Sequence, residues 1–218
     1  TRDIFVEQTV ARLARVAEVL DADAAVLDEG VGPVTGTPIM RWLKNVESGG
    51  GRVDQFNQAM LVQAPAGVTE ADVVTVLQAL LDRHAMLRLR VDDQDADGAE
   101  GAEGWSLAVP EAGAVAARDC LHAVDELSDA AVIEARSRLN PAAGMMLSAV
   151  WARSTGQLVV IVHHLAVDGV SWRILLQDVN IAWAQHHGGQ PVELPAAGTS
   201  FARWSSLLAE HAHRPDVV

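Results

Sequence analysis

The feature that most constrains the fold is an apolar run, residues 158–162, which ends on two adjacent histidines, His163 and His164. A short apolar run rich in β-branched residues is typical of a strand buried on both faces. Neighbouring side chains of a strand point to opposite faces, so the two histidines cannot both face one cavity in the same way. We therefore expect one histidine to be packed and the other to be available to a ligand.

Periodicity along the rest of the chain predicts an α/β protein with an irregular order of strands and helices. Thr37 and Pro38 are typical of a helix start, as N-cap and first helical residue. Further helices are predicted over residues 3–19, 69–83, 128–139, 170–187 and from Thr199 or Ser200 to about His211. Strands are predicted over residues 55–64, 86–91, 105–109, 145–153 and 157–164.

Length, charge and cysteine content exclude several classes of protein. The 218 residues are enough for one good-sized core and at most two small domains. A formal net charge of −13 argues against a surface for nucleic acid or anionic membranes. Because Cys120 is the single cysteine, no internal disulfide is possible. No apolar run reaches the length of a membrane span and no leader is recognisable, so we expect a cytoplasmic protein.

Most familiar catalytic motifs are absent from the sequence. There is no Gly-x-Ser-x-Gly nucleophile elbow, and no spacing of histidine, cysteine and acidic residues suggests a metal site. Cys120 and His122 form too weak a pattern to predict a thiol nucleophile. Asp168 has two interpretations. It either caps the helix that follows it, or forms a buried ion pair, since a buried carboxylate needs a cation or several donors.

Residues 163–169 read His-His-Leu-Ala-Val-Asp-Gly, and His-His-x-x-x-Asp-Gly is the signature of the condensation-domain superfamily of nonribosomal peptide synthetases. The following residues 170–175, Val-Ser-Trp-Arg-Ile-Leu, resemble the epimerization branch of that superfamily. Residues 37–43 resemble the opening motif of epimerization domains. Residues 83–88 resemble the superfamily's Arg-His-x-x-Leu-Arg motif. Together with residues 194–204, these motifs extend the resemblance over roughly residues 33–212.

The resemblance implies a chloramphenicol-acetyltransferase-like lobe, with a mixed sheet flanked by helices, as one half of a V-shaped two-lobe domain. Its active site would lie in a tunnel between the lobes. Residues 37–218 would form the N-terminal lobe. Residues 1–20 resemble the last helix of a peptidyl carrier domain, and residues 21–36, which are acidic and rich in glycine, are interpreted as a linker.

The resemblance also implies roles for individual residues. It assigns catalysis to His164, and an imidazole with an ordinary pKa of about 6.5 is suited to moving protons near neutral pH. We interpret His163 as structural, held by a hydrogen bond. Arg88 is the expected partner of Asp168, with Arg83 as second choice. For Gly169 we expect that a side chain would crowd the channel or forbid the turn.

The implied reaction is L-to-D epimerization at the α-carbon of an aminoacyl or peptidyl thioester. The substrate would be carried on the phosphopantetheine arm of an upstream carrier domain, with no cofactor bound directly by this chain. A second proton relay would be a glutamate of the C-terminal lobe, so we expect residues 1–218 alone to be inactive. Further partners would be that lobe and the neighbouring synthetase modules.

Three alternatives stay open from the sequence. A condensation domain uses the same histidine to help an amine attack a thioester, but usually lacks the Trp-Arg pair found at residues 172–173. A non-catalytic interface domain would keep the fold and dock a tailoring enzyme. A free-standing acetyltransferase is disfavoured by the carrier-like start. The heterocyclization variant carries aspartate at the first histidine of the motif, and this chain does not.

Overall fold

The computed structural model describes residues 28–93, 105–196 and 198–214, together with Thr9 and Arg12. In chain order, the strands are β1 (Gly32–Val34), β2 (Asn57–Gln63), β3 (Arg90–Asp93), β4 (Trp105–Val109), β5 (Leu121–Val124), β6 (Leu147–Ala152) and β7 (Gln157–His163). The α-helices are α1 (Pro38–Ser48), α2 (Glu70–Arg83), α3 (Ala117–Cys120), α4 (Asp129–Ser137), α5 (Ser171–His187) and α6 (Phe201–Ala212). Among the described helices, none is both long and apolar enough to cross a bilayer.

Four strands form the main sheet in the order β2-β7-β6-β5. β7 pairs antiparallel with β2 and with β6, whereas β5 pairs parallel with β6, so the sheet is mixed. All of β6 is buried, and so is β7 after Gln157. Because both faces of the central strands are covered, their residues form continuous apolar runs. The prediction that residues 158–162 form a buried strand is confirmed, whereas β5 was not predicted.

Helices cover both faces of the main sheet. On one face, α2 and α5 contribute Leu77 and Trp172 to a core that includes Val160 of β7. On the opposite face, Ala135 of α4 packs in a core with Ile161 of the same strand. Full burial of each large apolar side chain stabilises the fold by about 1.5–3 kcal/mol. The predicted class, α/β with a mixed sheet flanked by helices, is confirmed.

A second sheet, which was not predicted, contains three antiparallel strands in the order β1-β4-β3. Its core includes Val34 of β1 and Leu107 of β4. Met40 and Leu43 of α1 pack into the same core. This sheet packs against α1, whose N-terminal residues line the same cavity as His164.

The prediction of a linker over residues 21–36 is wrong at its C-terminal end. Residues 28–36 pack against the lobe, since β1 pairs with β4 and the Asp28 carboxylate accepts hydrogen bonds from the backbone N–H of Ser200 (2.9 Å) and of Gly30 (3.1 Å). Glycine here serves tight turns rather than flexibility, because Gly30 has a φ of 67°.

Residues 1–27 lie outside the described residues, apart from Thr9 and Arg12. The predicted carrier helix over residues 1–20 and the start of the predicted linker therefore stay predictions.

The predicted helix starts near residues 37, 69 and 200 are confirmed, with one difference in detail. Thr69 and Asp72 form a capping box at the start of α2, and the resulting hydrogen bonds lower the pKa of Asp72 to about 2. Ser200 caps α6 by accepting a hydrogen bond from the backbone N–H of Arg203. α1 begins after Thr37 with Pro38 in its first turn, but the Thr37 hydroxyl makes no capping bond.

The strand predicted over residues 86–91 is wrong in its first half. Residues Ala85–Arg88 form a 3₁₀ helix, and β3 begins only at Arg90. In the predicted strand, leucines and arginines would alternate between the two faces, yet Arg88 is buried together with Leu87 and Leu89 and is only 1% exposed. Its guanidinium binds backbone carbonyls at the end of α2, and this tertiary contact prevails over the local alternation.

Candidate functional site

The histidine pair lies at the C-terminal end of β7, next to an apolar groove. His163 is the last residue of β7, and His164 follows it. A cavity of about 590 Å³ is lined by His164 and by the N-terminal part of α1, the segment 164–171 and α6. Its walls carry large apolar side chains that stay exposed in this chain, namely Ile39, Trp42, Phe56, Trp204 and Leu208. The arrangement suits a partly apolar ligand that meets one imidazole.

His163 is packed inside the protein and is 1% exposed. Its Nε2 lies 2.8 Å from the backbone oxygen of Val53, so Nε2 carries a hydrogen and donates it. Its Nδ1 accepts a hydrogen bond from the backbone N–H of Leu165 at 3.2 Å. Both ring nitrogens are therefore committed to backbone groups, and burial lowers the pKa of His163. The expectation that one histidine is packed and hydrogen-bonded is confirmed.

We expect the free energy of unfolding to decrease as the pH falls from about 7 to about 5. The unfolded chain takes up protons on histidine near pH 6.5, whereas the folded protein holds His163 neutral. A His163→Gln variant can still donate a hydrogen bond to Val53, but its amide does not titrate. The free energy of unfolding of this variant should therefore depend less on pH. Some dependence should remain, because burial also lowers the pKa of His84. Urea denaturation at three pH values measures this, and an unchanged slope in the variant would contradict it.

His164 is half-buried and borders the groove. Its ring stacks on Phe56, with centroids 4.9 Å apart and planes at 18°. Its backbone N–H donates to the backbone oxygen of Phe56 at 2.8 Å, and its Nε2 lies 3.1 Å from Nε2 of Gln58. Within the described residues, no hydrogen bond reaches its Nδ1. Sequence reasoning did not identify Phe56 or Gln58, because neither belongs to a local motif and both reach His164 only through strand pairing.

Asp168 is exposed and binds the start of the next helix. Its Oδ1 accepts hydrogen bonds from the backbone N–H groups of Val170 (3.0 Å) and Ser171 (2.8 Å), and from the Ser171 hydroxyl (2.7 Å). The bonds from Ser171 lower the pKa of Asp168. Of the two interpretations of Asp168, these bonds favour the local one, because the carboxylate binds N–H groups of the turn that leads into α5.

The predicted ion pair between Asp168 and an arginine is wrong for this structure. Arg88 donates instead to the backbone oxygens of Leu81, Asp82 and Pro110. Arg83 donates through Nε to the backbone oxygen of Pro195. The physical reason is that Asp168 is exposed, with its oxygen satisfied by local donors, and so does not need a buried cation.

Replacing Asp168 with alanine is expected to lower the free energy of unfolding by about 1 kcal/mol, the usual effect of losing an N-terminal helix cap. Asp168→Asn should cost less, because the amide oxygen still accepts from the backbone N–H groups of Val170 and Ser171. Chemical denaturation of the two variants measures the difference. Equal losses would mean that the negative charge, rather than the acceptor oxygen, stabilises this turn.

The turn does not require glycine at residue 169, whereas the alternative prediction, that a side chain would crowd a channel between two lobes, stays a prediction. The φ of Gly169 is outside the left-handed region, and a Cβ added there would meet no described atom within 4 Å. Crowding at Gly169 by the rest of this lobe is therefore excluded within the described residues. The prediction rested on the motif, and the conformation of residues 168–171 tolerates a side chain.

A second polar pair, which sequence reasoning did not identify, lies in a cavity that also borders residues on either side of Asp168. His84 and Asp178 are 2.9 Å apart, and both line a cavity of about 530 Å³ next to the groove. Asp178 lies on the buried face of α5, together with Trp172 and Leu175. Burial lowers the pKa of His84 despite the opposing effect of Asp178, so the neutral ring donates to the carboxylate.

The described residues offer no site for a metal ion, since they contain no group of three or more histidine, cysteine or acidic side chains placed to hold one. Cys120 is buried, and burial raises the pKa of its thiol to about 11. A protonated, inaccessible thiol is a poor nucleophile. Within this groove, His164 is the side chain best suited to proton transfer.

Comparison with known proteins agrees with these features. The family model described as "Condensation domain" matches residues 50–216, a span that includes the main sheet, both histidines and α5. Chondramide synthase cmdD of Chondromyces crocatus is 33% identical over 95% of this chain, which covers 5% of that protein. Tyrocidine synthase 1 of Brevibacillus parabrevis is 26% identical over 100% of this chain, which covers 20% of that protein.

Two solved structures show the same fold. The epimerization domain from the third module of tyrocidine synthetase B superposes with a TM-score of 0.71 at 26% identity, over 85% of this chain and 41% of that one. The second structure comes from work on condensation domain-mediated chain release from the enacyloxin polyketide synthase. It superposes with a TM-score of 0.60 at 18% identity, over 98% of this chain and 41% of that one. The chain thus spans about two fifths of these solved chains, in agreement with one lobe of a two-lobe domain. From the family match and the shared fold, this chain belongs to the condensation-domain family.

Proposed function

We propose that this chain is the N-terminal lobe of an epimerization domain in a nonribosomal peptide synthetase. The substrate would be an aminoacyl or peptidyl thioester on the phosphopantetheine arm of a carrier domain. The observation that carries the proposal is the position of His164, which borders an apolar groove while its neighbour His163 is committed to backbone groups.

The chemistry required is removal and return of one proton. The thioester acidifies the α-hydrogen of the substrate, so a base can break the Cα–H bond while the electron pair moves towards the thioester oxygen. Return of a proton on the other face of the enolate-like species gives the D-epimer. An imidazole is the ordinary protein group for such transfer near neutral pH.

Two observations support epimerization over the other reactions of the family. Residues 170–175 carry the epimerization-like sequence, and its Trp172 contacts Gln58, which in turn contacts His164. The tyrocidine epimerization domain also has a TM-score of 0.71 with this chain. Condensation is the second candidate, favoured by the family model over residues 50–216.

The test uses the intact synthetase that carries this chain, with its carrier loaded as an L-aminoacyl or L-peptidyl thioester in D₂O. We expect deuterium at the α-carbon together with D-product. If there is no exchange, but an amide forms once a second loaded carrier is added, the function is condensation instead. If neither reaction occurs, a non-catalytic interface domain is the better interpretation. The separate expectation that residues 1–218 alone are inactive fails if the purified segment epimerizes the same substrate.

A further inference from the structure

A hydrogen-bonded chain of three side chains ends on His164. The indole N–H of Trp172 lies 2.8 Å from Oε1 of Gln58, and Nε2 of Gln58 lies 3.1 Å from Nε2 of His164. An indole nitrogen can only donate, so its partner on Gln58 must be the amide oxygen. Trp172 thereby fixes the orientation of the amide and directs the Gln58 NH₂ group towards His164.

The orientation of Gln58 determines which nitrogen of His164 carries the proton. An amide NH₂ group can only donate, so Nε2 of His164 must accept through its lone pair. The neutral ring then carries its hydrogen on Nδ1. We infer that Gln58 and Trp172 are positioning residues that hold His164 in the Nδ1–H tautomer. His163 is the opposite case, because its Nε2 carries the hydrogen and donates to Val53.

The surrounding structure holds the three hydrogen-bonded side chains, Trp172, Gln58 and His164, in place. Trp172 is in the first turn of α5 and is only 7% exposed. Gln58 lies on β2, opposite Val162 of β7, so the pairing of the two strands sets its distance from the histidine. Phe56 stacks on the His164 ring and fixes its plane. Rotation of the ring would cost both the stacking contact and the hydrogen bond to Gln58.

The tautomer has a consequence for the way His164 meets a ligand. Nε2 is occupied by Gln58, so the nitrogen left for a ligand is Nδ1, to which no described residue is hydrogen-bonded. At rest the site would therefore offer a thioester oxygen a hydrogen-bond donor. To act as a base, His164 must first transfer its proton or be released by Gln58. The tautomer does not depend on the reaction performed, but this consequence for proton transfer rests on the proposed function.

The direct test is ¹⁵N NMR of the intact protein, labelled with ring-¹⁵N histidine, without substrate. Signals of His164 are assigned by their loss in His164→Gln. We expect Nδ1 protonated and Nε2 unprotonated in the wild type. In Gln58→Glu, a carboxylate oxygen can accept from His164, so Nε2 should gain a hydrogen. A wild-type Nε2 that is already protonated, or a Gln58→Glu spectrum identical to wild type, would overturn the inference.

Trp172→Phe tests the hydrogen bond between Trp172 and Gln58, which is the one farther from His164. Without the indole N–H, the Gln58 amide can rotate and present its oxygen, so the unprotonated Nε2 signal of His164 should lose intensity. In a Gln58→Leu background the same Trp172→Phe change should have no further effect, because both act through one hydrogen bond. An equal effect in both backgrounds would contradict the coupling. Unchanged His163 signals, with hydrogen on Nε2, show that the lobe is folded in each variant.

Activity measurements then separate this inference from the proposed function. If the Nδ1–H of His164 binds the thioester oxygen during the proposed reaction, Gln58→Glu should lower kcat on the order of 10²-fold, since losing one such donor to a developing oxyanion has about that effect. KM should change little, because Gln58 need not touch the substrate. A Gln58→Glu variant with altered tautomer and full activity would refute the positioning role. A wild-type protein with the expected tautomer but no epimerization would refute the proposed function alone.

Discussion

Arg88→Leu is expected to lower the free energy of unfolding by about 3 kcal/mol or more. The guanidinium is buried and donates to three backbone oxygens, those of Leu81, Asp82 and Pro110. Two of these belong to the last turn of α2, where carbonyls have no partner within the helix. Leucine leaves all three carbonyls without this donor, one of them buried and two part-buried, and a buried unpaired group costs about 1–3 kcal/mol. The positive charge at the C-terminal end of α2 is lost as well.

Urea denaturation of three variants measures this effect. Arg90→Leu is the matched control, because Arg90 is exposed and its replacement should change stability by no more than about 0.5 kcal/mol. Arg88→Lys should recover only part of the loss, since one ammonium group cannot reproduce the planar fork of donors. If Arg88→Leu is no less stable than Arg90→Leu, the carbonyls find other donors and our interpretation of Arg88 is wrong.

His164→Gln is expected to lower the rate of the reaction about 10²- to 10⁴-fold, the usual contribution of a positioned acid–base group. The observable is α-deuterium exchange, or amide formation if the protein proves to be a condensation domain. Stability should change little, because the side chain is half-buried and glutamine retains hydrogen-bonding groups. The variant therefore separates a catalytic role from a folding role.

His187→Gln provides the control for His164→Gln. His187 lies at the C-terminal end of α5, exposed and stacked on Trp183 at a centroid distance of 5.2 Å, and it does not line the groove. We expect wild-type rates for this variant. Full activity in His164→Gln, or an equal loss in both variants, would remove His164 from the reaction.

Local patterns predicted the elements whose signals lie within a few residues. The apolar run of β7, the capping box at Thr69 and the start of α6 at Ser200 are examples, because a strand period or a cap depends on near neighbours. β1 was missed because its glycines suggested a linker. The 3₁₀ helix that contains Arg88 was missed because the guanidinium binds carbonyls six, seven and 22 residues away, which a strand period does not reveal.

The candidate site divides in the same way. The different environments of His163 and His164 follow from the alternation of a strand and could be predicted. Gln58 could not be, because it lies 106 residues from His164 in the chain and meets it only through the pairing of β2 with β7. The Asp168 ion pair was inferred from a motif, whereas the structure satisfies that carboxylate locally. Sequence thus predicted the candidate base, His164, but not its supporting contacts.

The hydrogen bond between Asp28 and Ser200, the residue that caps α6, limits the distance between this lobe and a domain that precedes it in the chain. The hydrogen bond to Ser200 fixes the chain at residue 28, and seven residues, 21–27, separate that point from the predicted carrier helix. Fully extended, they can span at most about 25 Å. Such a short tether would keep a carrier domain at high effective concentration near the α6 side of the lobe, and would limit how far it can travel to other modules.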